Sequence, residues 1–193
     1  MSQNASAKIR TVALVGHGAA GKTTLAESLL AATGAIASRG TVEKGNTVCD
    51  FDPVEKDFGH SLQSAVCSVE WTGTQIHLID TPGYPDFAGQ AIGALAAVDT
   101  ALVVINAQTG IELSTERMYH LAGQRGLCRM IVINRIDADN VDRLAWWPTS
   151  VNASASNACC STCRSTTGPK SWSCWAMMKA KVTSLPSRRR TAT

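Results

Sequence analysis

Acidic residues are absent from the last fifty positions of this 193-residue chain. Residues 144–193 contain no Asp, Glu, Phe or Tyr, yet carry seven of the 18 basic residues, four of the five tryptophans and four of the seven cysteines. Residues 1–143 hold the other 11 basic residues and all 15 acidic ones, so the formal net charge of +3 conceals two segments of opposite sign. A natural domain rarely changes composition so abruptly, and the boundary near Arg143 excludes one uniform domain from end to end. Long hydrophobic runs are lacking as well. Nothing approaches eighteen consecutive apolar residues, the length a membrane helix needs, and "MSQNASAKIRTVALV" has no apolar stretch of signal-peptide length. Cysteine framework spacing is missing: Cys49, Cys67 and Cys128 stand isolated, which fits a reducing cytoplasm. Charge is sparse at 17%, but with 45% hydrophobic residues the chain remains compatible with a soluble globular protein. Its length suits one domain with a real core.

What is present up to residue 143 is a strand–loop–helix alternation. "RTVALVG" (10–16) is a β-branched apolar run ended by glycine, a buried strand. "KTTLAESLLAATG" (22–34) puts Leu25, Leu29 and Leu30 at helical spacing and stops at Gly34. "AVCSVEW" (65–71) and "TQIHLIDTPG" (74–83) read as a hairpin, "TALVVINA" (100–107) and "RMIVINRID" (129–137) as central parallel strands, and "IELSTERMYHLAGQRG" (111–126) as an amphipathic helix. This order predicts an α/β three-layer fold with a mostly parallel sheet. Residues 35–63 are polar without sustained period and read as a long, mobile loop.

Gly16-His17-Gly18-Ala19-Ala20-Gly21-Lys22-Thr23 satisfies G-x-x-x-x-G-K-[ST] between a predicted strand and helix, the context that pattern requires. Glycines there let successive backbone N–H groups converge on phosphate oxygens, and the helix N-terminus adds partial positive charge. The pattern assigns phosphates to Gly16, Gly18, Ala20, Gly21, Lys22, Thr23 and Thr24. Lys22 bridges the β- and γ-phosphates, and the Thr23 hydroxyl ligates Mg²⁺. Asn134-Arg135-Ile136-Asp137 at the end of the last strong strand selects the base. A carboxylate at Asp137 accepts from guanine N1–H and the exocyclic N2 amine, donors that adenine lacks, so the nucleotide is expected to be GTP or GDP. Asn134 is expected to tie this loop to the phosphate cradle. Between the two motifs, Asp80-Thr81-Pro82-Gly83 follows "IHLI". Asp80 is placed to hold an Mg²⁺-bound water and Gly83 to offer its N–H to the γ-phosphate. The fold expected is therefore a P-loop NTPase domain.

The series GHGAAGKTTL, DTPGYPDF and INRID resembles the N-terminal G domain of translational GTPases, closest to the elongation factor G branch. "DFDPVEKDFGHSLQSAV" (50–66) is similar to that family's first switch, where an E-x-x-R-G-I-T-I pattern precedes a strand. The resemblance covers roughly residues 10–142. It implies an Mg²⁺-dependent GTPase of cytoplasmic location, partnered by the ribosome, that couples GTP hydrolysis to elongation or recycling. Neither a membrane nor a sequence-specific nucleic acid is expected as partner. The resemblance also implies that Ser61 stands where the family has its Mg²⁺-binding Thr, Ala19 where it has an Asp, and Arg135 where it has a Lys. Tyr84 stands where the family's water-positioning His is found. Lys22, Gly83 and Tyr84 are thus the residues expected at the reacting end. Such departures suggest an elongation-factor-G-like paralogue. A GTP/GDP-dependent binding switch that does not hydrolyse, or an inactive remnant of a longer factor, are the alternative readings.

The family continues past Asp142 with further helices, a second base loop and more domains, and here the sequence departs from it. Three readings of residues 144–193 stand. A zinc site from Cys159, Cys160, Cys163 and Cys174 has only one CxxC pair. A basic tail ending in Arg188-Arg189-Arg190 suits nucleic acid, although short charge runs are usually solvated. A frameshift is the reading favoured by the codons themselves. Met177-Met178-Lys179 must be ATG-ATG-AAR, which gives Asp-Glu when codon boundaries move one base earlier, and Trp146-Trp147-Pro148 gives an aliphatic residue or Met, then Val-Ala. The expectation is a partial GTP-binding domain over 1–143, truncated, followed by an aberrant, disordered tail over 144–193. Such a chain is expected to be poorly soluble or partly unfolded.

Overall fold

In the computed structural model the described residues are 8–138, 141 and the backbone of 158–162. β1 (Ile9–Val15) is central, with β3 (Thr74–Asp80) on one side and β4 (Thr100–Asn106) on the other, both parallel to it. β2 (Ala65–Trp71) forms an antiparallel hairpin with β3 and closes one edge. β5 (Cys128–Asn134) lies parallel to β4, and the backbone of β6 (Ala158–Thr162) runs parallel to β5. The order is β2-β3-β1-β4-β5-β6. Apart from the β6 backbone, the expected tail at 144–193 lies outside the described residues, and with it the side chains of all four cysteines of the zinc reading.

Strand alternation divides the core into two faces. Val12, Leu14, Leu78, Leu102, Val104 and Val132 point to the side covered by α1 (Lys22–Ala32) through Leu29 and Leu30. Ala13, Val15, Ala101 and Val103 point to the other, where α3 (Ala88–Ala96) and α4 (Leu113–Gln124) bring Leu95, Met118 and Ala122. This is the three-layer arrangement expected from the alternation of apolar runs. The strands buried on both faces are those that read as continuous apolar stretches, as parallel strands between helix layers must.

Two elements differ from expectation. α3 has no counterpart in the sequence reading: "AGQAIGALA" is only nine residues long and holds two glycines, which are weak helix formers. Residues 35–63, expected to be one long loop, contain a 3-10 turn at Val42–Lys44 and α2 (Pro53–Phe58). Local chemistry explains α2. The Asp52 side chain accepts from Val54 N at 2.8 Å as an N-cap, Pro53 occupies the first turn, and Gly59 ends it in the left-handed region.

Candidate functional site

Every motif sits at the carboxyl ends of the parallel strands. That is the edge at which open α/β sheets bind ligands. Leu14 of β1 is in register with Asp80 of β3, and Asn106 of β4 with Asn134 of β5. The phosphate-cradle, Asp80 and base-loop segments therefore leave the sheet side by side.

α1 begins at Gly21 with φ of 88° and has no side-chain cap. Its first-turn N–H groups are thus left for another acceptor. Lys22 is buried, and its Nζ donates to the Gly16 carbonyl at 3.2 Å and the His17 carbonyl at 2.7 Å. Burial lowers the Lys22 pKa to about 8, against the opposing pull of Asp80. His17 is held in turn: its Nε2 meets Glu112 Oε2 at 2.8 Å, and its backbone N–H donates to Thr115 Oγ1 at 3.2 Å.

Thr23 Oγ1 donates to Asp80 Oδ2 at 2.6 Å and lies 3.3 Å from Ser61 Oγ. Ser61 Oγ donates to Asp50 Oδ1 at 2.7 Å. Burial pushes the Asp80 pKa up to about 6, opposed by the Thr23 hydrogen bond and by Lys22. Asp80 Oδ1 is buried and accepts no hydrogen bond among the described residues. Two hydroxyls and two carboxylates, one of them with an unsatisfied oxygen, form an all-oxygen donor set that fits a hard divalent cation such as Mg²⁺.

Gly83 packs against Lys22 Nζ, the His17 carbonyl and Gly18 N so closely that any side chain there would overlap them. Tyr84 lies over Gly18, where a Cβ would stand 3.0 Å from the ring. Beside it is His60, with ring centroids 4.6 Å apart. One cleft is lined by Gly18, Lys22, Thr23, Ser61, Gly83 and Tyr84, and Gly21, Thr24, Asp50, His60 and Arg135 are also on its wall.

Asn134 Nδ2 donates to the Ala20 carbonyl at 3.0 Å, which joins the base loop to the phosphate cradle. Gly21 faces the same amide, and a side chain at that position would overlap it. Arg135 adopts φ of 57° and reaches the cleft wall. Asp137 is exposed and is not among the residues that line that cleft. Gly16 and Ala20 contribute backbone, while Thr24 is exposed on the first turn of α1. The structure thus brings together the sequence-nominated residues of the cradle, Ser61, Asp80, Gly83 and Tyr84, with Asn134 bonded to Ala20, while Asp137 lies outside the residues that line the cleft.

Several residues of the site escaped sequence reading. Glu27 is fully buried on α1, its two carboxylate oxygens accepting from Gly40 N at 3.0 Å and Val48 N at 2.5 Å. Glu55 accepts from Leu62 N and Gln63 N, at 2.8 and 3.0 Å. Cys49 and Cys67, both buried, place their sulfurs 3.4 Å apart and attach the segment before Asp50 to β2. These carboxylates and thiols fasten the 40–63 segment over the cleft.

A Gly-rich cradle ending in Lys-Thr, an Asp at the neighbouring strand end, and an Asn bonded back to the cradle define a P-loop nucleotide-binding domain. Residues 7–181 match the family described as Elongation factor Tu GTP binding domain, and the chain belongs to that family. The match extends beyond the compositional boundary near Arg143. The chain is similar to the elongation factor G-like protein of Mycobacterium tuberculosis, 41% identical over 134 residues, 69% of this chain and 19% of that one. It is similar to Elongation factor G 2 of Streptomyces coelicolor, 38% identical over 142 residues, 74% of this chain and 21% of that one. Tetracycline resistance protein TetW of Butyrivibrio fibrisolvens is 40% identical over 135 residues, 70% of this chain and 21% of that one. A crystal structure of a Thermus thermophilus protein superposes with a TM-score of 0.69 and 45% identity, over 72% of this chain and 21% of that one. Bacterial selenocysteine-specific elongation factor EF-Sec superposes with a TM-score of 0.74 over 93% of this chain and 29% of that one. At 21% identity this is a likeness of fold. The chain spans about a fifth of the length of the curated relatives it matches. Among the described residues no helix is long and apolar enough to cross a membrane.

Proposed function

We propose that the chain binds GTP with Mg²⁺ and hydrolyses it to GDP and phosphate, as the G domain of an elongation-factor-G-type factor acting with the ribosome in elongation or recycling. The observation that carries this reading is the bond from Asn134 to the Ala20 carbonyl, which couples a guanine-type base loop to a phosphate cradle. In this reading the backbone of Gly16, Gly18, Ala20, Gly21 and Thr24 contributes to the phosphate cradle. Lys22 Nζ exchanges its two carbonyl partners for β- and γ-phosphate oxygens. Asp137 accepts from guanine, and Arg135 packs along the nucleotide. Thr23 and Ser61 would hold Mg²⁺, with Asp80 behind Thr23 and Asp50 behind Ser61, and a cation held there would supply neutralisation of charge developing on the phosphates. Gly83 offers its N–H to the γ-phosphate and Tyr84 flanks the attacking water. Catalysis of this kind is mostly positioning and charge neutralisation.

Titration with a fluorescent GTP analogue in Mg²⁺, competed by GTP, GDP and ATP, tests the binding. Displacement by the guanine nucleotides and not by ATP is expected, and equal displacement by ATP overturns the guanine assignment. Single-turnover hydrolysis with and without ribosomes tests the activity. Ribosome-stimulated cleavage supports a translation factor, whereas binding without cleavage supports a GTP/GDP switch, the reading favoured by Tyr84 at the family's His position. The 40% identity to a tetracycline resistance protein makes a resistance role the second reading. Protection of translation from tetracycline by the chain in its full-length context distinguishes it.

A further inference from the structure

The family pattern E-x-x-R-G-I-T-I has an aliphatic residue before its hydroxyl-bearing Thr, and this chain has His60 before Ser61. We infer that His60 positions the attacking water at the γ-phosphate end of the cleft, supplying from the first switch the imidazole that Tyr84 lacks. The inference deepens the GTPase reading and rests on it.

Placement comes first. The γ-phosphate end is marked by Lys22 Nζ and by Gly83, which packs against it. Tyr84 follows Gly83 directly and covers Gly18, and the His60 ring stands 4.6 Å from the Tyr84 ring, centroid to centroid. His60, Tyr84, Lys22, Ser61 and Gly83 line the same cleft. The imidazole is therefore at the reacting end and not at the base end, where Asn134 lies.

Orientation follows from its neighbours. Three aromatic rings surround His60: Tyr84, Phe58 at 5.8 Å and Phe87 at 6.3 Å. Its Nδ1 lies 3.4 Å from the Ser61 carbonyl. A carbonyl only accepts, so the tautomer that uses this contact carries its hydrogen on Nδ1 and leaves the Nε2 lone pair as an acceptor. That lone pair fixes one hydrogen of a water while the water oxygen faces phosphorus. In the step, the water oxygen bonds to the γ-phosphorus as the bond from that phosphorus to the β–γ bridging oxygen breaks. GDP departs and the water's protons go to phosphate oxygens. The ring orients the water and need not take its proton, a task that a side-chain amide performs in other GTPases.

His60→Gln and His60→Leu test this in the 193-residue chain with Mg²⁺. Single-turnover GTP hydrolysis and the Kd of a fluorescent GTP analogue are measured in parallel, with a thermal melt of each variant. His60→Leu is expected to slow hydrolysis about tenfold or more with Kd unchanged within twofold, and His60→Gln to retain most of the rate. The inference is overturned if His60→Leu hydrolyses like the parent, if His60→Gln falls as far as His60→Leu, or if Kd rises in step with the lost rate. GTP binding without turnover in the parent chain overturns it as well, while leaving the nucleotide assignment standing. No GTP binding at all overturns both.

Discussion

The Asn134 amide donates to the Ala20 carbonyl across 114 positions of sequence, and through that 3.0 Å bond the two ends of the nucleotide site report on each other. Gly21, the neighbour of Ala20, combines a φ of 88° with direct contact to the same amide. Gly21→Ala meets a disfavoured backbone conformation, costing about 1–3 kcal/mol, and also displaces Asn134. Loss of GTP-analogue binding and a lowered melting temperature are the expected outcomes. Wild-type affinity in a soluble Gly21→Ala protein sinks the coupling.

Base selection is tested separately at Asp137. Asp137→Asn replaces one carboxylate acceptor by an amide donor, which mismatches the exocyclic N2 amine of guanine and matches the 2-carbonyl of xanthine. GTP affinity is expected to drop by about a hundredfold and xanthosine triphosphate to become the preferred ligand. Competition titrations with both nucleotides decide it, and unchanged GTP affinity removes Asp137 from the site.

Glu27 anchors the segment over the cleft through two backbone N–H groups. Glu27→Ala strands both donors, each worth about 1.5–3 kcal/mol when bonded to a charged acceptor. Faster hydrogen exchange at Gly40 and Val48, ahead of any change in the β4 and β5 amides, is the expected signature. Uniform destabilisation without that local loss contradicts the anchoring role.

Legibility of this molecule divides along a physical line. β1, β4 and β5 were readable because strands buried on both faces must be continuously apolar, β3 because it alternates and runs into a turn, and the cradle because Gly-x-x-x-x-Gly-Lys-Thr has one geometric use. α3 was not readable, since it is short and its two glycines argue against a helix. Asp50, Glu27 and Glu55 were not assigned either, because their partners are backbone N–H groups or hydroxyls brought near by the fold, and nothing in an acidic residue's identity announces such a partner. The Cys49–Cys67 contact is likewise a product of tertiary folding alone. Asn134 lies between these cases, expected to reach the cradle and found bonded to Ala20.

Burial raises the Asp80 pKa from its ordinary 3.8 to about 6, so the folded protein binds more protons than the unfolded chain between those values. Stability of the metal- and nucleotide-free protein therefore falls as pH rises through that window, by about 3 kcal/mol from this group, and levels off above it. Asp80→Asn removes this pH-dependent penalty. The melting-temperature gain of the variant over the parent is expected to grow from pH 4 to pH 6 and then flatten. A pH-independent difference refutes the assignment, and Mg²⁺-dependent nucleotide binding is expected to be lost in the same variant.

β1 occupies the middle of the sheet, between β3 and β4, although it is the first strand of the described chain. During synthesis it emerges long before either neighbour. At about 5–20 residues per second, the interval between completing β1 and completing β4 is roughly 5–20 seconds. The phosphate loop cannot take its final shape in that interval, since the strand beneath it has no partner on the β4 side. Nucleotide capture by a nascent chain is thereby timed to a late event, the arrival of residues 100–106, and β1 must be shielded until then.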